Sequence, residues 1–158
     1  MDDDLQEVLD TQIHDIERRI EKVIAKVETL ATKANLLRSI PGIGPVSAAM
    51  LIAELPEIGR MTSGEVAAMT GRAPVPHDSG AMRGRRTIAG RRRSRRHVLF
   101  QAALAAACHN PVLKPVAKRL KERGKPHKLV IIAIAQRLVT IANAIVKAGI
   151  PWQLLPRR

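Results

Sequence analysis

The sequence predicts an all-α protein, with a long N-terminal coiled-coil helix followed by a compact helical domain that contains a helix-hairpin-helix motif and a basic loop. Hydrophobic residues make up 46% of the 158 residues, yet Phe100 and Trp152 are the only aromatic ones. The core must therefore be built from aliphatic side chains, which favours packed helices over a sheet. A regular apolar spacing near the N-terminus is the second observation that indicates helices.

The first segment, residues 1–38, is predicted to be a coiled-coil dimerisation helix. Its apolar residues are spaced alternately four and three apart, at Leu9, Ile13, Ile16, Ile20, Val23, Val27, Leu30, Ala34 and Leu37. This seam extends over about four heptads and predicts one long helix over residues 5–38 that pairs with another helix. A helix packed on its own domain is the alternative. The strict spacing favours self-association, so we expect a homodimer or a higher oligomer.

Residues 39–150 are predicted to form the second domain, which begins with a helix-hairpin-helix motif at residues 39–55. In the stretch SIPGIGPVSAAMLIAEL, a helix ends near Arg38 and a new helix begins at Pro45 or Val46, because proline suits a first helical turn. Gly42 and Gly44 permit unusual backbone conformations and the close approach of a ligand. The N–H groups at the start of the second helix would bind a DNA phosphate without reading the bases. An ordinary helix–helix turn is the alternative.

The rest of this domain shows further helix signals. Thr62 precedes Glu65 by three residues, as in a capping box, and predicts a short helix from Ser63 to Thr70. A helix resumes by about residue 91, and Asn110 is predicted to cap the next one, which runs to about residue 123. The last, strongly apolar helix is expected at residues 129–148, ended by Gly149.

The cellular setting follows from the same composition. The most apolar run, LVIIAIA at residues 129–135, is only seven residues long, which is too short to span a bilayer. The acidic start is not that of a signal peptide, and the single cysteine, Cys108, excludes a disulfide framework. We expect a cytoplasmic protein that has no contact with membranes.

Residues 72–97 combine a serine with many arginines. Residues 72–90 lack helical periodicity and are predicted to form a long loop with a short extended piece at 85–88. Eight arginines lie between residues 83 and 96, with almost no acid nearby, and the whole chain has a formal charge of +13. We predict that phosphates are contacted by Gly80, Arg83, Arg85, Arg86, Arg91, Arg92, Arg95 and Arg96. The last four of these arginines have the spacing of one helical face. A solvated charged face is the alternative.

The scarcity of aromatic side chains argues against the stacking of single-stranded bases as the main binding mode. A duplex backbone or a folded RNA fits the composition better. The polyanion predicted from these residues is DNA, with RNA as the alternative.

Three kinds of strand-cleaving chemistry place different demands on the residues present. Two-metal hydrolysis needs clustered carboxylates, and the acids after the hairpin have no paired spacing, so no metal site is predicted. Tyrosine-based strand transfer is excluded because the chain has no tyrosine. Ser79 follows His77 and Asp78 and precedes the arginines, so its hydroxyl is the candidate nucleophile for a DNA phosphodiester. A polar loop residue without a catalytic role is the alternative.

These blocks resemble the C-terminal transposase domain of the Piv-like insertion-sequence transposases. The motifs that carry the resemblance are SIPGIGPVSAAMLIAEL, GRAPVPHDSGAMRGRRTIAGRRRSRRHVLFQAALAA and HNPVLKPVAKRLKERGKPHKLVIIAIAQRL, within residues 36–148. The family pairs this domain with a resolvase-like DEDD nuclease-fold domain, and several members are guided by a structured bridge RNA. The resemblance implies that Ser79 occupies the position of the catalytic serine. It also implies that the heptad segment is the coiled coil that joins the two family domains.

The resemblance also implies how the reaction divides between domains. In the family, carboxylates of the DEDD domain bind metal and complete the active site with the serine, so no cofactor is expected in this chain and Mg²⁺ only in the DEDD domain. This chain begins near the coiled coil and is expected to be half of a transposase. We therefore predict the DNA-binding C-terminal part of an insertion-sequence transposase or site-specific recombinase, active only together with a DEDD domain. A non-catalytic DNA- or RNA-binding remnant or regulator is the alternative.

Overall fold

The computed structural model of the chain describes residues 2–69 and 85–152, and between 85 and 92 it describes the backbone alone. These ranges contain α-helices and no strand, which confirms the predicted all-α class for them. The helices are α1 (Asp2–Lys26), α2 (Glu28–Arg38), α3 (Pro45–Glu54), α4 (Ser63–Met69), α5 (Arg85–His109), α6 (Leu113–Glu122) and α7 (His127–Ala148).

The N-terminal segment is two helices, so the prediction of one helix over residues 5–38 is wrong. Val27 has an extended backbone, with φ −110° and ψ 109°, and separates α1 from α2. The apolar seam is divided at the same point. None of the residues of α1 is buried, whereas Ala34 and Leu37 of α2 lie in the core. The α2 half of the seam therefore packs against the rest of the domain.

The core is centred on α7, which packs against α2, α4, α5 and α6. Its buried side chains are Val130, Ile131, Ile134, Ala135, Leu138, Val139, Ala142 and Ile145. Among the described residues, α7 is also the one helix long and apolar enough to cross a membrane, which the seven-residue run in the sequence did not indicate. Its packing in the core accounts for this apolar character. Gly149, at φ +67°, ends the helix as predicted.

The capping box of α4 is confirmed. The Thr62 backbone N–H donates a hydrogen bond of 2.7 Å to Glu65 Oε2, and the Glu65 N–H donates in return to Thr62 Oγ1 at 3.3 Å. Because these bonds favour the ionised carboxylate, chiefly the one from the Thr62 backbone, they lower the pKa of Glu65. The box fixes the start of α4, which is described as far as Met69, and the predicted last residue, Thr70, lies outside the described residues.

The helix α5 begins at Arg85, six residues before the predicted start, so the prediction of a loop with an extended piece is wrong for residues 85–90. Arginine is a good helix former, and the buried second half of α5 provides a helix onto which further turns can add. The buried side chains of that half are Val98, Leu99, Ala102, Ala103 and Ala106. A 25-residue helix thus has an apolar half within the core and an arginine-rich half before it.

Candidate nucleic-acid interface

The turn between α2 and α3 is packed against the middle of the domain. Gly42 has φ +100°, a conformation that favours glycine, and a Cβ atom placed on it would lie 2.7 Å from Ala106 Cα of α5. A side chain at position 42 would therefore collide with backbone. The sequence analysis assigned this glycine to the close approach of a ligand, and the neighbour that it contacts in the structure is helix α5.

Gly44 lies in a different environment, although it is only two residues away. It is exposed, its backbone is extended (φ −87°, ψ −179°), and a Cβ atom there would meet no atom within 4 Å. Pro45 follows as the first residue of α3. The first N–H groups of a helix have no acceptor within the helix, so this end of α3 is the part of the turn that is open to a phosphate.

Asn110 anchors the turn from inside the domain. Its side chain is fully buried, and its Nδ2 donates a hydrogen bond of 3.0 Å to the Pro41 carbonyl. Its Oδ1 accepts hydrogen bonds from the N–H groups of Val112, at 2.9 Å, and Leu113, at 3.2 Å. The predicted cap of the next helix is thus confirmed. Sequence reasoning missed the second role, because no local pattern indicates a contact with a residue 69 positions away.

The basic half of α5 is joined to the end of α3 and to the turn that follows it by one contact each. Ser94 Oγ donates a hydrogen bond of 2.7 Å to Glu54 Oε1, and Arg95 Nη1 lies 3.3 Å from Glu57 Oε1. The expectation that the arginines have almost no acid to pair with is therefore wrong for Arg95. Its side chain is only 29% exposed, so Arg95 has a structural partner within the domain.

Arg93 and Arg96 are the exposed arginines of this half for which side chains are described. In residues 2–69 and 85–152, neither forms an ion pair. Arg96 lines a cavity with Met69 and Lys128, so its neighbours differ from those of Arg95. Arg95 and Arg96, which were predicted to share a face, thus contact different parts of the domain. Arg93 was not among the predicted contacts, although it stands in the same arginine run.

For the other predicted contact residues, the structure describes either the backbone alone or nothing. Ser79, Gly80 and Arg83 are outside the described residues. The backbones of Arg85, Arg86, Arg91 and Arg92 lie in the first turns of α5, and their side chains are not described. Where the chain is described, no three His, Cys, Asp or Glu side chains cluster as metal ligands would.

The hairpin turn and the described arginines lie at opposite ends of the packed pair α3 and α5. Gly42 contacts Ala106, whereas Glu54 contacts Ser94, so the two helices run in opposite directions. The helical rise separates Ala106 from Arg95 by about 17 Å along α5. At one phosphate per roughly 3.4 Å of each strand, that is a span of about five phosphates. The two ends are therefore separate parts of the surface.

The helical domain, with its hairpin turn and arginine-rich helix, matches a known protein family. Residues 34–118 match the model described as "Transposase IS116/IS110/IS902 family". Because the match covers more than half of the chain, the chain belongs to this family. The resemblance inferred from the sequence motifs is thereby confirmed, and the matched residues include the hairpin turn, Ser79 and the arginines of α5.

Individual relatives agree with the family match. The chain is similar to the "Pilin gene-inverting protein" of Moraxella bovis, at 27% identity over 96% of this chain and 48% of the relative. It is 31% identical to the "Insertion element IS116 uncharacterized 44.8 kDa protein" of Streptomyces clavuligerus, over 88% of this chain and 34% of the relative. The chain thus spans about a third to a half of the length of these relatives.

Proposed function

We propose that this chain is the DNA-binding C-terminal part of an insertion-sequence transposase or site-specific recombinase, and that Ser79 is its nucleophile. Family membership supports the reaction class. The observation that carries the binding role is the arginine-rich half of α5, where Arg93 and Arg96 are exposed without an acidic partner in the described ranges. Arginine binds phosphate through a planar pair of N–H donors, so such side chains fit a DNA backbone.

The proposed step is a transfer of one phosphodiester from DNA to the protein. Ser79 Oγ attacks phosphorus and forms a P–O bond, while the bond between phosphorus and one strand's oxygen breaks. The hydroxyl proton leaves through a base, for which the two preceding residues, His77 and Asp78, are candidates, and the released strand oxygen gains a proton. Arginines stabilise the negative charge on the phosphoryl oxygens. A strand hydroxyl that attacks the serine ester restores the serine and completes the exchange.

Self-association through α1 would supply the second active site that an exchange of two strands needs. Nearly all of the large apolar side chains of this helix are exposed, with Ile13 at 50% and Ile16 at 55%. An apolar stripe of this extent on one helix is suited to pairing with a second copy. A structured guide RNA and a Mg²⁺-binding DEDD domain are further partners that the family resemblance implies. The reaction on DNA would take place in the cytoplasm.

Covalent trapping tests the nucleophile. Purified chain is mixed with nicked recombination-site DNA and Mg²⁺, with and without a separately supplied DEDD domain, and is then denatured. We expect a protein–DNA band that disappears in Ser79→Ala, with DNA affinity unchanged. Ser94→Ala is the matched control, because Ser94 donates to Glu54 within the fold, and it should keep the band. Good DNA binding without a band in either mixture would favour the non-catalytic binder.

A further inference from the structure

A second basic surface lies on α6, outside the residues that the sequence analysis assigned to DNA. The helix is amphipathic, with Leu113, Val116 and Ala117 buried. On an exposed flank of the helix three lysines, Lys114, Lys118 and Lys121, follow one another at i, i+4 and i+7, and we name them the lysine stripe. This spacing aligns their side chains along one edge of the helix.

The charges of the lysine stripe are unpaired in the described chain. Glu122 is the single acidic residue from position 110 to 128, and it forms no ion pair with a described residue. The same stretch adds exposed cations at Arg119, Arg123, Lys125 and Lys128. Lysines on a solvated face often serve only solubility. Here seven cations accompany one acid, an excess that attracts a polyanion.

The turn after α6 leads along the chain from the lysine stripe to Lys128, which lies beside an arginine of α5. Gly124 has φ +77° in that turn, and α7 begins at His127. Lys128, in the first turn of α7, lines a cavity of about 150 Å³ together with Arg96 and Phe100 of α5. Lys128 and Arg96 thus flank the same cavity from two helices. No acid is among the cavity's described lining residues, and along the chain Lys128 follows the lysine stripe by seven residues.

We propose that Arg93 and Arg96, then Lys128, then the lysine stripe form one continuous basic track that binds successive phosphates of a DNA duplex. The proposal rests on the proposed function and extends it to α6. The helical rise from Lys114 to Lys121 is about 10 Å, the length of about three phosphates on one strand. Lysine contacts phosphate as a point charge, so this part of the track would add affinity without base specificity.

The salt dependence of binding to a mixed-sequence DNA duplex tests the track. Log affinity falls as log salt concentration rises, and each lost phosphate contact reduces the magnitude of this slope by about 0.9. We expect Lys114→Gln/Lys118→Gln/Lys121→Gln to reduce the slope by about 2 to 3 and to weaken binding about 100-fold near physiological salt. The matched control, Arg19→Gln/Lys22→Gln/Lys26→Gln on α1, removes the same charge from exposed positions and should leave the slope unchanged.

Thermal unfolding of both variants checks that the fold is intact, since all six side chains are exposed. An unchanged slope in the stripe variant would overturn the track, and so would equal losses in both variants. If Arg93→Gln/Arg96→Gln still weakened binding in that case, the proposed function would stand and only the track would fail. A loss seen with an RNA duplex but not with DNA would also overturn the proposal, in favour of an RNA surface.

Discussion

At the scale of single residues, Gly42 and Gly44 show how two similar positions can have unrelated roles. Both stand in the IPGIGP turn and both were assigned to phosphate contact from the sequence. Gly42 has a positive φ and lies against Ala106, so backbone conformation and packing require glycine there without any ligand. Gly44 has an ordinary extended backbone and open space around it, so neither strain nor packing excludes a side chain there. Its position just before α3 favours glycine over alanine, and the proposed phosphate contact is a second, functional reason.

This difference gives a prediction for alanine substitutions. Gly42→Ala should destabilise the domain by about 2–4 kcal/mol, because a Cβ atom adds backbone strain and collides with α5. Gly44→Ala should cost about 1 kcal/mol or less, since alanine is only a poorer residue before a helix. Urea unfolding monitored by circular dichroism measures both values. Equal destabilisation by the two substitutions would contradict the different environments of the glycines.

The Gly44→Ala variant also tests DNA binding independently of stability. If a phosphate approaches the start of α3, Gly44→Ala should weaken DNA binding while the domain remains folded. Unchanged affinity would remove the hairpin turn from the interface. The arginines of α5 would then be the remaining candidates from the sequence analysis.

At the scale of helices, α1 presents an apolar surface that its own domain does not cover. Ile16→Lys/Ile20→Lys should abolish self-association, because the ammonium groups would be buried in the seam of a coiled coil. Thr11→Lys/Ala25→Lys adds the same charge at exposed positions away from that seam and should leave the oligomer intact. Sedimentation velocity distinguishes the two results. A dimer that persists in the first variant would show that α1 is not the contact.

Helices were largely predictable from the sequence where local signals define their ends. Thr62 with Glu65, Pro45, Asn110 and Gly149 each fixed a boundary close to the observed one, because capping and φ preferences are local. The break at Val27 and the start of α5 at Arg85 were missed. The first has no proline or glycine to indicate it, and the second depends on continuation from a buried half-helix.

The candidate site was less predictable, since its contacts join distant parts of the chain. The arginine run indicated a basic helix, but periodicity alone could not distinguish Arg95, which pairs with Glu57, from Arg96, which is exposed. The lysines of α6 are dispersed among apolar residues and were not recognised as a surface. Their alignment became evident only when the buried side of α6 was known.

At the scale of the whole molecule, charge and packing divide the chain at the same place. The helix α1 carries eight acidic and four basic side chains and buries none of its residues, whereas the rest of the chain holds the basic surfaces and the described core. Removal of residues 2–26 raises the net charge from +13 to +17. The separation implies that self-association and DNA contact can be lost independently.

A chain without residues 2–26 should therefore keep its fold and its contacts with DNA. We expect its unfolding midpoint to lie within about 3 °C of the full chain, because the deletion uncovers little of the core. On a short duplex that accommodates one protomer, its affinity should equal or exceed that of the full chain. Scanning calorimetry and fluorescence anisotropy provide the two readouts. A large drop in the midpoint would place α1 within the folding unit.

The hydrogen bonds of Asn110 bear on how bound DNA would dissociate from the domain. One amide group joins the Pro41 carbonyl, in the turn before α3, to the N–H groups that begin α6. Because one side chain holds both segments, displacement of Asn110 breaks both sets of bonds, so we expect the two segments to open in the same event. The turn and the lysine stripe would then release a bound backbone together, and a partly detached domain would be short-lived.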